Sequence, residues 1–397
     1  MIFNESMLFN NTSEIIKNKE LLSIDYIPKM IVGRDEEIKE LSFHLSYLFR
    51  ENPTLPQQII FGGVGTGKTT IVLYVLKELE KEASKRKIKL KVIKIKGSES
   101  RTKYEVLKKI LEQISPEETI TSTSSDLYGK IIKAISEKGI YVLIFLDEVH
   151  ELRDSEINGS LYTISRMGQD IAFNEVKEAK IETFGKGNVG YILVSNDANI
   201  RDRLKENTRS SLTRENLIFK RYTPEQIVAI LKSRIEEGAL YENKIEEGVL
   251  ELIAGYSIKE GQDARYGLVL LSNVAKETEK KRNKQITMEL VKEVNQTLAQ
   301  DYLKQLLRDL PDLYLEILAI IYNLNSSDAP INSKTIWEEF QKNHAGVFSR
   351  ISQIVTALEK DNIVYVSQSK RTKLRNISIE ENLSEIREVL KEKGKIY

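Results

Sequence analysis

The sequence predicts an α/β fold of the doubly wound class, followed by a helical lid and a C-terminal winged helix-turn-helix domain. A P-loop pattern follows the first strongly apolar strand, and strands then alternate with helices as far as residue 221. Beyond that point the apolar spacing is helical, and the C-terminal part adds two short β runs around a basic turn. These changes of pattern predict three domains, at residues 1–221, 222–300 and 301–397.

Composition limits the class of protein. Charged residues make up 30% of the 397 residues, yet the net charge is only +1, so any nucleic-acid binding must come from local basic patches. The sequence contains no cysteine, which excludes disulfides and thiolate metal sites. The histidines at positions 44, 150 and 344 are scattered, and we expect surface or core roles for them. No apolar run reaches the ~18 residues of a membrane helix and no signal-peptide pattern is present, so we expect a soluble, intracellular protein.

The N-terminal segment has two parts. Residues 1–18 are polar and rich in asparagine, and we expect a mobile or loosely docked arm. Tyr26, Ile27 and Pro28 then precede a helix that begins near Glu36. These three residues either pack against the core or border the adenine of a nucleotide, as the corresponding segment does in other P-loop ATPases.

The P-loop is the strongest motif in the sequence. A buried strand at residues 59–61 leads into Gly62, four further residues and Gly67-Lys68-Thr69. The glycines let backbone N–H groups point at phosphate oxygens, Lys68 places a charge on the β and γ phosphates, and Thr69 offers a hydroxyl to Mg²⁺. The alternative is a glycine-rich turn without a ligand. The ATP-binding residues predicted for the loop are Gly63, Val64, Gly65, Thr66, Gly67, Lys68, Thr69 and Thr70.

Residues 88–138 continue the alternation of strands and helices. Lysines alternate with apolar residues from Ile88 to Lys96, which predicts a strand with one solvated face; a DNA-binding stripe is the alternative. Residues 102–114 and 127–135 have the apolar spacing of two amphipathic helices.

A second strong signal is the apolar run from Ile140 that ends in Asp147-Glu148. A buried central strand of this kind delivers carboxylates to a magnesium–phosphate site. We expect Asp147 to hold the metal and Glu148 to deprotonate the attacking water, a role worth about 10²–10⁴ in rate. The alternative is a strand end with no catalytic role.

The next strand repeats the arrangement. Residues 169–187 predict a helix end and a flexible insertion, and residues 191–195 predict a buried strand that ends in Asn196-Asp197. A polar group at that position, beside the P-loop, can contact the γ-phosphate or the attacking water.

The two C-terminal domains are predicted from helical periodicity. Thr223-Pro224-Glu225-Gln226 fits a capping box with proline at the first helical position, and the pattern stays helical to Gln300. Three more helices and β runs at 363–366 and 374–379 then describe a winged helix. A winged helix that binds protein is the alternative to one that binds DNA. The candidate DNA-binding residues, on the third helix and in the wing, are Arg350, Ser352, Gln353, Lys370, Arg371, Lys373 and Arg375.

Taken together, these segments resemble the archaeal origin-recognition initiators, AAA+ relatives of the eukaryotic origin recognition and Cdc-six proteins. The resemblance covers nearly the whole chain. Its most specific segments are the Val194-Ser195-Asn196-Asp197 strand end, Gly261-Gln262-Asp263-Ala264-Arg265 and the terminal winged helix.

The resemblance implies roles for several residues. Asn196 takes the sensor-one position, and Arg265 takes sensor two, an arginine that reaches from the lid to the γ-phosphate. The family's Asp-Pro-Arg arginine finger is replaced here by Lys205-Glu206-Asn207, so Arg203 and Arg209 are the remaining candidates. The segment after Arg166, including residues 167–188, is longer than in the family.

The function expected from these observations is that of an ATP-dependent initiator. It would bind ATP or ADP with Mg²⁺, recognise double-stranded DNA at a replication origin, hydrolyse ATP slowly as a switch, and help to load the replicative helicase with other initiator copies. We expect it to be cytoplasmic and nucleoid-associated. The alternative is a nucleotide-switched transcriptional or mobile-element regulator of the same build.

Overall fold

The structure is a computed structural model that describes residues 14–120, 123–177, 189–259, 263–325, 330–342, 348–361, 363–368, 375–379 and 382–396, without the side chains of 174–177, 348, 349, 368 and 375. The chain divides into two compact units, Met1–Val291 and Lys292–Tyr397. Among the described residues, none of the helices combines the length and the apolar character that a membrane crossing requires.

The first unit is built on a parallel sheet. Within the described residues its strands are β1 (Gln57–Gly62), β2 (Leu90–Lys96), β3 (Tyr141–Asp147), β4 (Val189–Ser195) and β5 (Asn216–Phe219). Their order is β2-β3-β4-β1-β5, and every pairing is parallel. The carboxyl ends of β1, β3 and β4 therefore lie side by side at one edge, where ligands bind in doubly wound sheets. The predicted fold class is confirmed.

Helices cover both faces of the sheet. They are α1 (Asp35–Leu45), α2 (Lys68–Lys85), α3 (Lys103–Ile114), α4 (Ser124–Lys138), α5 (Asp154–Lys177) and the short α6 (Glu206–Ser211). The core on one face contains α3, α4 and α5, and the core on the other contains α1 and α2. Thr102 starts α3 with a capping box, and Gly139 ends α4 in the left-handed conformation.

Two segments that the sequence marked as irregular have different outcomes. Helix α5 ends at Lys177, within the stretch 169–187 where a helix end was predicted, and residues 178–188, where the flexible insertion was predicted, lie outside the described residues. The expected loose N-terminal arm is docked where it is described, because Ile15 is only 1% exposed. The N–H group of Ile16 donates to the Glu279 carboxylate, and Ile16 forms a bridge with Leu240.

The lid consists of α7 (Pro224–Glu236), α8 (Val249–Lys259), α9 (Ala264–Lys280) and the first part of α10 (Met288–Arg308). The predicted capping box forms, with Thr223 and Gln226 bonded reciprocally and Pro224 at the first position of α7. Helix α10 passes through the predicted boundary after residue 300, and the division into three domains stays a prediction.

The second unit has the element order of a winged helix. Helices α11 (Asp312–Leu324), α12 (Ser333–Phe340) and α13 (Phe348–Lys360) precede the antiparallel pair β6 (Tyr365–Gln368) and β7 (Arg375–Ser378). A further helix, α14 (Leu383–Glu392), was not predicted; its Ile386, Val389 and Leu390 join the same core. The wing tip at residues 369–374 lies outside the described residues.

Candidate nucleotide-binding site

A cleft opens at the carboxyl edge of the sheet, between the P-loop and the lid. Its empty volume, which includes space open to solvent, is about 940 Å³. The structure brings most of the predicted site residues together here. The predicted residues that line the cleft are Pro28, Gly65, Thr66, Gly67, Lys68, Thr69, Thr70, Asp147, Glu148, Asn196 and Arg265.

The P-loop backbone prepares one end of this cleft for an anion. Gly65 and Gly67 have φ angles of 71° and 85°, a region that other residues rarely adopt. A Cβ atom at Gly67 would also collide with the Tyr222 hydroxyl, and one at Gly65 with the Asp263 carboxylate. Helix α2 begins at Lys68 without a side-chain cap. The N–H groups of its first turn are therefore left for a phosphate.

Lys68 is held inside the loop. Its side chain is 5% exposed, and Nζ donates to the Gly62 and Gly63 carbonyl oxygens at 2.8 and 2.6 Å. Burial lowers the pKa of Lys68 to about 8; the charge of Asp147 opposes this shift and that of Arg265 adds to it. Near pH 8 a substantial fraction of the ammonium groups is thus deprotonated.

This pKa predicts a pH dependence of ATP binding. Phosphates beside Lys68 favour its charged form, so its pKa is higher with nucleotide bound than without, and binding takes up a proton. The affinity for ATP should be greatest below pH 8 and fall as the pH rises through and above 8. Calorimetry at pH 8 in two buffers of different ionisation enthalpy measures the uptake. Lys81→Ala, at an exposed position of the same helix α2, is the control and should keep the uptake. A wild type that binds ATP at pH 8 without taking up a proton would contradict the assignment to Lys68.

Thr69 and Asp147 lie together at the magnesium end of the cleft. The Thr69 hydroxyl donates to Asp147 Oδ2 at 2.7 Å, and Asp147 is 4% exposed. Burial raises the pKa of Asp147, while the Thr69 hydrogen bond acts in the opposite direction. The described residues contain no cluster of three or more acidic, histidine or cysteine side chains that could hold a metal. One hydroxyl and one carboxylate suit Mg²⁺ that is otherwise bound by phosphate and water.

Glu148 lies beside Asp147 in an unusual backbone conformation. Its φ angle is 54°, and its N–H donates to Asp147 Oδ1 at 2.9 Å. A left-handed glutamate is uncommon and costs on the order of 1–3 kcal/mol, and such strain clusters at functional sites. The Ser98 hydroxyl donates to Glu148 Oε2 and so fixes the carboxylate. No sequence pattern pointed to Ser98, which follows a strand with one solvated face.

The opposite end of the cleft differs from the prediction. Pro28 lines it, but Tyr26 and Ile27 are not among the lining residues. The Tyr26 hydroxyl donates to Glu237 at 2.8 Å, and its carbonyl accepts from Arg234 at 3.1 Å. The lining residues that were not predicted are Ile24, Met30, Ile31, Val32, Ile71, Tyr222, Ile230, Ser233, Arg234, Ala264 and Leu268.

Two predicted loop residues also lie off the lining. The Gly63 carbonyl accepts from Lys68, and Val64 is 56% exposed. Their ATP-binding roles, like those of Tyr26 and Ile27, stay predictions.

The arginines considered for catalysis have different surroundings. Arg265 is exposed at the start of α9 and lines the cleft. Arg203 is ion-paired with Asp154 and Asp197, and a guanidinium nitrogen of Arg209 donates to the Leu204 carbonyl at 3.1 Å. Both finger candidates are therefore engaged within their own chain.

The DNA-binding candidates on α13 lie on its outer face. Arg350 and Gln353 are exposed and Ser352 is half-buried. Ile351, Ile354 and other apolar residues of the helix are buried in the core. Lys370, Arg371 and Lys373 lie outside the described residues, as does the Arg375 side chain.

Comparison with known proteins agrees with this architecture. Residues 58–185 match the family model of the AAA domain, and residues 228–296 match the Cdc6 AAA+ ATPase-type lid domain. The Pyrococcus abyssi ORC1-type DNA replication protein is 30% identical over 337 residues, which cover 83% of this chain and 76% of that protein. The Sulfurisphaera tokodaii ORC1-type DNA replication protein 1 is 27% identical over 99% of this chain and 97% of that protein.

A solved structure of the Aeropyrum pernix ORC1 protein in complex with DNA is also similar. It matches with a TM-score of 0.76 and 25% identity, over 96% of this chain and 98% of that one. The similarity therefore extends along nearly the full length of both chains. This chain belongs to the family of archaeal ORC1-type DNA replication proteins, within the AAA+ ATPases.

Proposed function

We propose that this protein is an ATP-dependent replication initiator that binds origin DNA. The observation that supports this most is the single cleft in which Lys68, Thr69, Asp147, Glu148 and Asn196 meet, in a chain that also has a winged helix. ATP occupies the cleft with its phosphates at the P-loop and its base toward Pro28 and the start of the lid.

The described groups divide the chemistry between them. Lys68 moves from the loop carbonyls to the β and γ phosphates, and the N-terminal turn of α2 binds phosphate oxygens. Thr69 and Asp147 hold Mg²⁺, which neutralises phosphate charge when it is bound. Glu148 orients the attacking water and accepts its proton. Asn196 and Arg265 contact the γ-phosphate end, as their positions in the cleft allow.

Turnover is slow, so that ATP acts mainly as a switch. An arginine finger contributes about 10³–10⁵ in rate where it operates. Here Asn207 stands at the position of the family's arginine, and Arg203 and Arg209 are held by partners in their own chain. A protein alone in solution therefore lacks this contribution, and the ATP-bound state persists.

The second unit supplies the DNA contact. Arg350, Ser352 and Gln353 project from α13, the helix that enters the major groove in winged helix-turn-helix proteins. The wing cations predicted from the sequence lie along the phosphates. The Aeropyrum relative was solved with DNA, and the curated relatives are DNA replication proteins. On origin DNA the protein assembles with other copies and helps to load the helicase.

Replacing Gln353 with alanine should weaken sequence recognition. Loss of a bidentate contact to a base edge costs about 1–3 kcal/mol on the cognate site and little on other duplexes. Binding titrations on cognate and scrambled duplexes measure the ratio of affinities. Gln341→Ala, an exposed glutamine at the end of α12, is the matched control and should leave the ratio unchanged.

A double Arg371→Ala/Lys373→Ala variant gives the complementary result. It should weaken binding to every duplex and reduce the slope of log K against log salt by about 0.9 per lost phosphate contact. Wild-type affinity and slope in that variant would mean that the winged helix binds protein instead.

Mapping of bound sites across the genome tests the function as a whole. Occupancy concentrated at replication origins supports the initiator. Occupancy scattered over promoters would replace it with a nucleotide-switched regulator.

A further inference from the structure

His150 and Asn196 meet where two neighbouring strands end. His150 lies in the short turn Val149–Glu151 that follows β3, and Asn196 directly follows β4. The strands pair in parallel, with Leu146 opposite Leu193 near their carboxyl ends. The imidazole of His150 therefore reaches Asn196 across a single strand spacing.

The contact involves both nitrogens of the ring. Nδ1 lies 3.3 Å from the backbone nitrogen of Asn196, and Nε2 lies 3.3 Å from the nitrogen of the Asn196 side-chain amide. The ring is 19% exposed, and Glu151 Oε1 lies 3.7 Å from Nε2. His150 thus holds the asparagine at its backbone and at its side chain.

The backbone contact determines the tautomer. A backbone N–H can only donate, so Nδ1 accepts and the neutral ring carries its proton on Nε2. An Nε2–H donor pairs with the Asn196 amide through Oδ1, which turns the amide so that its NH₂ group points away from the ring. That NH₂ group is then available to donate into the cleft.

We propose that His150 is a positioning residue for Asn196, which it holds so that the amide NH₂ faces the γ-phosphate end of the cleft beside Glu148. The inference rests on the proposed hydrolysis of ATP in this cleft. Asn196 and Glu148 both line the cleft, whereas His150 is not among its lining residues and acts through Asn196. Since misplacement of a catalytic group by about 1 Å can cost on the order of 10²-fold in rate, the ring matters to turnover without touching the nucleotide.

Substitution of the ring separates positioning from binding. His150→Leu and His150→Phe remove the acceptor and should lower kcat by about 10-fold or more, with the KM and Kd for ATP changed by less than about threefold. His150→Gln keeps an amide oxygen that can accept from the Asn196 N–H and should restore kcat to within about threefold of wild type. His44→Leu, a half-buried histidine of α1, is the control and should have no effect.

A double-mutant cycle gives the decisive readout. If His150 acts through Asn196, then His150→Leu should cause no further loss of kcat in an Asn196→Ala background. An undiminished loss in that background would overturn the proposal, as would wild-type kcat in folded His150→Phe. Thermal melting identifies variants that fold. A wild-type protein whose turnover is absent, or is unaffected by Glu148→Gln, would instead overturn the proposed ATPase and the inference with it.

Discussion

Replacing Lys68 with alanine is expected to abolish tight ATP binding. A hydrogen bond to a charged group contributes about 1.5–3 kcal/mol, and Lys68 is placed to make such bonds to two phosphates. The Kd for ATP should therefore rise by on the order of 10²-fold or more. Isothermal calorimetry measures the change in Kd. It is done at pH 7, where Lys68 is protonated, and under conditions in which ATP is not hydrolysed.

Lys81→Ala is the matched control for this experiment. Lys81 lies on the same helix, α2, but is exposed and forms an ion pair with Glu78 at 2.6 Å. Its removal should leave the Kd unchanged, because surface ion pairs contribute about 0–1 kcal/mol and this one is remote from the loop. Equal ATP affinity of wild type and Lys68→Ala would show that the cleft is not the nucleotide site.

Glu148→Gln should separate ATP binding from hydrolysis. The amide keeps the size of the side chain and can still accept from Ser98, but it cannot accept a proton from the attacking water. We expect kcat to fall by about 10²–10⁴, with the Kd for ATP nearly unchanged. Single-turnover hydrolysis and calorimetry on the same preparation measure both quantities.

Glu99→Gln is a suitable comparison for Glu148→Gln. Glu99 is exposed and lies one residue beyond Ser98, so the substitution removes a nearby charge without touching the carboxylate that faces the cleft. Its turnover should match wild type. If Glu148→Gln hydrolysed ATP at the wild-type rate, another group would have to serve as the base.

The groups at the phosphate end were predictable because their placement is local. The spacing of Lys68 and Thr69 from Gly62 predicts their positions in the P-loop. Asp147 and Glu148 follow a strand whose apolar run marks it as buried. Parallel strands then bring the end of β4, with Asn196, to the same edge. Arg265 was placed by family resemblance alone, since an exposed arginine at a helix start has no pattern of its own.

The rest of the site depends on contacts between distant parts of the chain. Tyr26 is turned toward Glu237 and Arg234, about 210 residues away in sequence, and no local spacing encodes that choice. Ser233 and Arg234 sit in a helix whose periodicity indicates only a packing face. Ser98 and His150 owe their roles to which strands are neighbours. The burial of Ile15 against the lid could not be predicted, because the residues around the Ile15-Ile16 pair are polar.

The docking of the N-terminal segment has a mechanical consequence. Between Ile16 and Gly33 this segment is hydrogen-bonded to residues of the lid helices and of the loop that follows α7. These residues are Glu279, Ala239, Glu237, Arg234 and Gln226. The segment passes from the lid to the sheet domain at Arg34. The Arg34 guanidinium donates to the carbonyl of Lys220, which lies where the chain passes back from strand β5 to the lid. A movement of the lid relative to the sheet would therefore carry this segment with it, including the cleft-lining residues Ile24, Pro28 and Met30.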